Sequence, residues 1–318
     1  NGVRMAYYEA GPRGRGVPVI FSHGFPELAF SWRHQLKALG AAGRWAVAPD
    51  QRGYGLTEAP TEVEAYDVEH LCGDLIGLLD HLGAEKAVWC GHDWGGIVVW
   101  QMGLRHPERT AGIIGLNTPF MPRPPVDPVA IMRARMGEEM YIVHFQKPGE
   151  ADAVLGADAA KTMDFMLRKP PAGQPPSAGL NEQAKEGQSA FPLVRIVEAY
   201  DPAADPRERF LTDEEFQVFA ETFARTGFTG GINWYRNFTR NWERSADLPT
   251  RVEGVPCLMV TAELDAVLPP SAAEGMDAWV ADLETRMVEG SGHWTQQEKP
   301  EAVNAILLDW LDRRLPQA

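Results

Sequence analysis

Cysteine is scarce: Cys72, Cys90 and Cys257 are the only three, an odd number, far apart and each inside an apolar stretch. That excludes a disulfide framework and points to buried free thiols, which fit a reducing, cytoplasmic setting. Basic residues are outnumbered, 30 against 44 acidic, for a formal net charge of −14. With no Lys/Arg cluster to neutralise phosphates, a nucleic-acid partner is not expected. The acidic balance otherwise serves solubility. No apolar run reaches the ~18 residues of a membrane span, and nothing near the start reads as a signal peptide. The chain opens at Asn1 inside a strand approach, Val3-Arg4-Met5-Ala6-Tyr7-Tyr8, so whether residues precede it stays open. There is no fixed-period repeat, and no His/Cys/carboxylate group has metal-ligand spacing.

What the chain does have is core-forming material: 44% hydrophobic and 23% charged residues over 318 positions. That length suits one large α/β domain with an insertion, or two domains. Short apolar runs bounded by turn residues recur at 17–21, 45–48, 87–90, 113–116 and 257–260, as parallel strands buried on both faces do. Helical patterns separate them at 32–39, 68–82 and 96–105, and a last helix is expected over 302–311. This alternation predicts an α/β fold, a doubly wound and mostly parallel sheet with helices on both faces. Between Pro119 and Pro249 it stops. That stretch opens on Pro119, Pro122, Pro124, Pro125 and Pro128, carries a Pro/Gly-rich patch over 169–179 that reads as a surface loop, and is otherwise helix-like, as at 213–225. The expected organisation is a core in two pieces, 1–118 and 250–318, with a helical cap, 119–249, over the carboxyl ends of the strands.

The most informative segment is Gly91-His92-Asp93-Trp94-Gly95, which follows the apolar strand Ala87-Val88-Trp89-Cys90 and leads into a helix. Small residues two positions either side of the central one permit a strained strand-to-helix turn that lifts a nucleophile above the sheet. Here the central residue is aspartate rather than serine. A carboxylate attacking an ester would gain only a reactive anhydride. At a saturated carbon bearing a leaving group it forms an ordinary ester that water can cleave. The expected substrates are therefore strained ethers or carbon–halogen compounds.

Such a nucleophile needs a histidine base and an acid to orient it, in the chain order nucleophile, acid, histidine. Asp265 follows the strand Leu258-Met259-Val260-Thr261, with Glu263 as a local rival for the acid role, and His293 sits in the glycine-bracketed turn Gly290-Ser291-Gly292-His293-Trp294. An oxyanion hole would come from two backbone N–H groups, one just after the nucleophile and one after an earlier strand. Trp94 and Phe25 are the candidates. Phe25 lies in His23-Gly24-Phe25-Pro26-Glu27, where Pro26 can fix a tight, cis-capable turn.

Three segments, His23-Gly24-Phe25-Pro26, Asp50-Gln51-Arg52-Gly53-Tyr54-Gly55 and Gly91-His92-Asp93-Trp94-Gly95-Gly96, together resemble the α/β-hydrolase-fold epoxide hydrolases, and the likeness runs the length of the chain. It extends into the cap, where 141–150 and 231–237 are similar to the segments that carry that family's two ring-opening tyrosines. The resemblance thus implies roles for Tyr141 and Tyr235. Chemically, an epoxide opened by a carboxylate releases an alkoxide, a poor leaving group unless a phenol donates to it. The other reading of both tyrosines is cap core aromatics. Phe25, Trp94 and Trp294 are expected to form the apolar pocket wall. Arg52 and Tyr54 read as architectural, and His92 is expected to turn away from the site with no catalytic role.

The expected reaction is hydrolysis of an apolar small-molecule epoxide to a vicinal diol through an ester on Asp93, with no metal or organic cofactor required. A haloalkane or haloacid dehalogenase would use the same ester chemistry. Against it, Phe25 stands where haloalkane dehalogenases usually place asparagine, and Trp94 where the fluoroacetate branch usually places arginine. A ligand receptor that kept the fold and lost catalysis would show a broken triad, and none is visible.

Overall fold

Alternate residues of the central strands face opposite layers, and the chain supplies an apolar residue at nearly every position. The computed structural model describes residues 1–170 and 189–316. In strand β2 (Val19–Ser22), Val19 and Phe21 pack with one buried cluster and Ile20 with the other. Strands β1 (Tyr7–Ala10), β3 (Ala46–Pro49), β4 (Ala87–His92), β5 (Thr110–Leu116), β6 (Cys257–Ala262) and β7 (Leu283–Val288) complete the sheet, in the order β1-β3-β2-β4-β5-β6-β7. Only β1 is antiparallel to its neighbour.

Helix α1 (Arg33–Ala41) and the final helix α13 (Pro300–Arg314) cover one face, where Leu36, Leu39, Leu307 and Trp310 meet Val19, Phe21 and Val88. Helices α2 (Val68–Leu82) and α3 (Trp94–Arg105) cover the other, where Leu71, Leu75, Val98 and Met102 meet Ile20, Val47 and Trp89. Each fully buried side chain of this kind contributes on the order of 1.5–3 kcal/mol. Asp67 caps α2 by accepting from the His70 N–H at 3.0 Å, and Gly83 ends it at φ 73°, a left-handed position that suits glycine.

The sequence expectation missed β7. It is an edge strand, Leu283-Glu284-Thr285-Arg286-Met287-Val288, with mostly exposed or half-exposed side chains, so it carries no apolar run. The first strand also begins later than the Val3–Tyr8 approach suggested, and α3 begins at Trp94 rather than Gly96, hard against the elbow.

Between β5 and β6 lie helices α4 (Pro128–Met136), α5 (Tyr141–His144), α6 (Glu150–Ala157), α7 (Ala159–Met166), α8 (Leu193–Ala199), α9 (Asp213–Thr226), α10 (Thr229–Arg236) and α11 (Phe238–Glu243). Of the Pro/Gly-rich patch at 169–179, residues 171–179 lie outside the described residues. This helical layer is tied to the sheet domain. The Trp234 indole N–H donates to the Arg52 carbonyl at 3.1 Å, Arg240 pairs with Asp67 at 2.9 Å, and the Asn241 side chain accepts from the Val68 N–H at 2.9 Å. Among the described residues no helix is long and apolar enough to cross a membrane.

The tightest approach in the core is at Gly95, where a Cβ would come within 1.9 Å of the Ser22 carbonyl oxygen. Gly95→Ala is expected to destabilise the fold by about 2 kcal/mol or more, seen as a lowered midpoint in urea unfolding. An unchanged midpoint would mean that β2 and α3 are not packed as described.

Candidate active site

The elbow is built as the sequence implies. Asp93 joins β4 to α3 at φ 52° and ψ −122°, a region that non-glycine residues rarely occupy. Its carbonyl accepts from the Gly96 N–H at 2.9 Å and from the Thr118 hydroxyl at 2.8 Å, bonds that hold the strained peptide in place. The side chain therefore stands clear of the sheet.

At its carboxylate, Oδ1 accepts from the Phe25 N–H at 2.8 Å, and the Trp94 N–H also donates to the group. Phe25 reaches it from the turn after β2, where the Phe25–Pro26 peptide is cis. A side chain at Gly24 would collide with this carboxylate, its Cβ lying 2.3 Å from Oδ1. Burial raises the Asp93 pKa above the usual carboxylate range, opposed by the His293 and His92 rings and by the two N–H groups. The side chain keeps 13% exposure, enough for a ligand to reach it.

His293 Nε2 lies 3.8 Å from Asp93 Oδ2, while Nδ1 lies 2.9 Å from Asp265 Oδ2. Burial alone would lower the pKa of this imidazole. Asp265 and then Asp93 outweigh it and lift the pKa to about 9. Asp265 is fully buried. The cost of its burial is overcome by His293, by the Leu268 N–H at 3.0 Å and by the Asn117 amide at 2.7 Å, which together hold it well below the usual carboxylate range. Glu263, the rival, turns away and accepts from the Gly290 N–H at 2.8 Å.

Above Asp93 is a cavity of about 310 Å³ lined by Phe25, Tyr141, Phe165, Met166, Tyr235 and Trp294 among others. Tyr141 comes from the first turn of α5 and Tyr235 from α10, with ring centroids 5.7 Å apart. Burial first, and then the charge of Asp93, push both phenols up, so each is a neutral O–H donor near pH 7. Phe25 packs edge-on to Tyr235 at 5.4 Å. Trp94, expected in the wall, does not line this cavity: its ring stands behind Tyr235 at 5.2 Å and lines a second apolar cavity with Phe238 instead. Its large indole is already enclosed by Trp234, Tyr235 and Phe238.

Two neighbours escaped the sequence reading. Asn117, in the left-handed region at φ 60°, joins Asp265 to the His293 carbonyl, at 2.7 and 3.2 Å. Glu27, fully buried, accepts from the Gly24 N–H, faces His92 Nδ1 at 2.7 Å and accepts from the Gln296 amide. His92 turns away from the Asp93 side chain as expected, but its Nε2 meets the His293 carbonyl at 2.6 Å. The available signal was weak: a polar residue just past an apolar strand in Leu116-Asn117-Thr118, and an acid beside the Phe-Pro turn. Arg52 braces a remote loop through Asp74 and the Ala65 carbonyl, and Tyr54 packs on His23 and Trp234.

Residues 17–300 match the α/β hydrolase fold family. The chain is 46% identical to "Epoxide hydrolase A" of Mycobacterium tuberculosis over 98% of this chain and 95% of that protein. The chain belongs to the α/β-hydrolase-fold epoxide hydrolases. It is also 40% identical to "Bifunctional epoxide hydrolase 2" of Mus musculus, again over 98% of its length, but it spans only 54% of that longer protein. Among solved structures, Epoxide Hydrolase A from Mycobacterium thermoresistibile superposes with a TM-score of 0.86 at 43% identity, covering 98% of this chain and 95% of that one. The epoxide hydrolase VrEH1 from Vigna radiata gives 0.84 at 36%, with 98% and 95% covered. As an epoxide hydrolase, this chain converts an epoxide to a vicinal diol, and the family does so through a covalent aspartyl ester.

Proposed function

We propose that Asp93 is the nucleophile of this epoxide hydrolase, Tyr141 and Tyr235 its ring-opening donors, and His293 with Asp265 its hydrolytic pair. The observation that carries the reading is a single cavity in which an accessible carboxylate, two neutral phenols and an imidazole backed by a carboxylate meet. Residues 119–249 act as the cap that brings the phenols over the two-piece core, 1–118 and 250–318, a division supported by the helices α4 to α11 between β5 and β6. The substrate is an apolar epoxide, as the aromatic lining supports. Three buried free thiols support a cytoplasmic setting.

In the first stage Asp93 attacks an epoxide carbon, the carbon–oxygen bond breaks, and the phenols donate to the departing oxygen. The resting site holds His293 as an imidazolium beside the Asp93 carboxylate. Formation of a neutral hydroxy ester removes that negative charge and takes up one proton, for which the imidazolium is the source. His293 is thereby left neutral. In the second stage it accepts a proton from water as the water attacks the Asp93 carbonyl carbon. The Phe25 and Trp94 N–H groups stabilise the oxyanion, and collapse releases the diol, the Asp93 carboxylate and the imidazolium. No metal or organic cofactor enters this balance.

Two outcomes test these roles. Replacing both Tyr141 and Tyr235 with phenylalanine is expected to slow ester formation by about a hundredfold or more in rapid-quench measurements with styrene oxide. Unchanged ester formation would remove the phenols from the mechanism. Decay of the ester requires neutral His293, whose pKa lies below about 9 once Asp93 is esterified. The decay rate should therefore rise with pH through that lower pKa and then level off. A rate that falls as pH rises would contradict the assignment of His293 as base.

A further inference from the structure

We propose that Glu298 is a positioning residue for the second half of the reaction, its carboxylate spanning the two peptides that flank His293 and fixing the imidazole toward the Asp93 ester. The proposal rests on the site assignment above. Glu298 ends the single turn α12 (Thr295–Glu298), which begins two residues after His293. Its Oε2 accepts from the Gly292 N–H at 2.8 Å and its Oε1 from the Trp294 N–H at 3.0 Å. One carboxylate thus takes the backbone donors on both sides of the histidine.

The loop is held from other directions as well, and these contacts isolate what Glu298 adds. The Gly292 carbonyl accepts from the Thr295 hydroxyl at 2.8 Å, and the His293 carbonyl meets His92 Nε2 at 2.6 Å and accepts from Asn117 at 3.2 Å. On the cap side, the Trp294 indole N–H donates to the Met166 carbonyl at 2.7 Å. The carbonyls and the indole have partners of their own, whereas the two flanking N–H groups depend on Glu298.

A carboxylate is an expensive choice for this place. Burial pushes the Glu298 pKa up, opposed by the two N–H groups and the His293 charge, and among the described residues no Lys or Arg forms an ion pair with it. A neutral amide could not replace it, since its single oxygen would leave one N–H facing an NH2 group. Both oxygens of an ionised carboxylate are needed to accept from both peptides. With His293 Nε2 3.8 Å from Asp93 Oδ2, a small rotation of the loop changes the line from imidazole to water to ester carbon. Displacements of about 1 Å can cost roughly a hundredfold in rate.

Glu298 touches neither the Asp93 carboxylate nor the phenols, and in the first half-reaction His293 only gives up a proton, whereas in the second it must align a water on the ester carbon, so the effect should fall mainly on the second half. The test uses the full chain and its Glu298→Gln and Glu298→Ala variants in single-turnover rapid quench with styrene oxide, reading ester on the Asp93 peptide by mass. Ester formation is expected within about threefold of the unsubstituted enzyme. Ester decay is expected to slow by about tenfold or more in Glu298→Ala and by less in Glu298→Gln, so that ester accumulates. Equal slowing of both halves, or unchanged decay, would overturn the proposal by reducing Glu298 to a packing residue. The Gln variant keeps the volume and decides the matter if the Ala variant fails to fold. Absence of any Asp93 ester in the unsubstituted enzyme would instead overturn the site assignment, and the proposal with it.

Discussion

A carboxylate pressed against an imidazolium inside an apolar cavity sets the terms for everything around it. Asp93 is raised out of the sheet on a strained peptide, yet it is desolvated enough that its charge must be shared with two backbone N–H groups and His293. The same proximity holds a proton on His293, backed by Asp265. In the proposed mechanism the resting enzyme is ready to be alkylated and unready to hydrolyse. On that proposal, esterification of Asp93 would discharge both members of the pair, so the first stage would itself produce the base required in the second.

The two layers of the molecule divide this work. The sheet domain fixes Asp93, Asp265, His293 and the Phe25 turn at the carboxyl ends of β4, β6, the segment after β7 and β2. The helical layer supplies Tyr141 and Tyr235, whose phenols stay protonated because burial and the neighbouring Asp93 charge both oppose ionisation. A phenol kept neutral in this way is a donor with no competing charge of its own. Two bonds that join the layers are Trp294 to Met166, at the cavity, and Trp234 to Arg52, away from it.

Much of this is legible in the amino-acid sequence alone. Strands β2 to β6 announce themselves because they are buried on both faces and must be apolar throughout. Edge strand β7 has one side to solvent and reads as a charged loop. The elbow is legible because Gly91 and Gly95 bracket an aspartate where few other patterns would. The choice between Glu263 and Asp265 was not, since two carboxylates two residues apart on one loop differ only in direction. Asp265 faces His293 and Glu263 faces Gly290. Asn117, Glu27 and Glu298 were equally hidden, because each acts on a segment remote in sequence or on backbone atoms that leave no compositional trace. Trp94 was misassigned to the wall for a related reason: a motif gives the neighbour of a nucleophile but not the face its ring presents.

The central claim is that the oxygen added to the product comes from Asp93 and is replaced from water. Turnover of styrene oxide in oxygen-18 water, followed by mass analysis of the peptide that contains Asp93, tests it directly. The account predicts label in the Asp93 carboxylate after repeated turnover and, in a single turnover, a diol whose new oxygen is unlabelled. A single-turnover diol carrying the label, with an Asp93 peptide that never gains it, would contradict the covalent route.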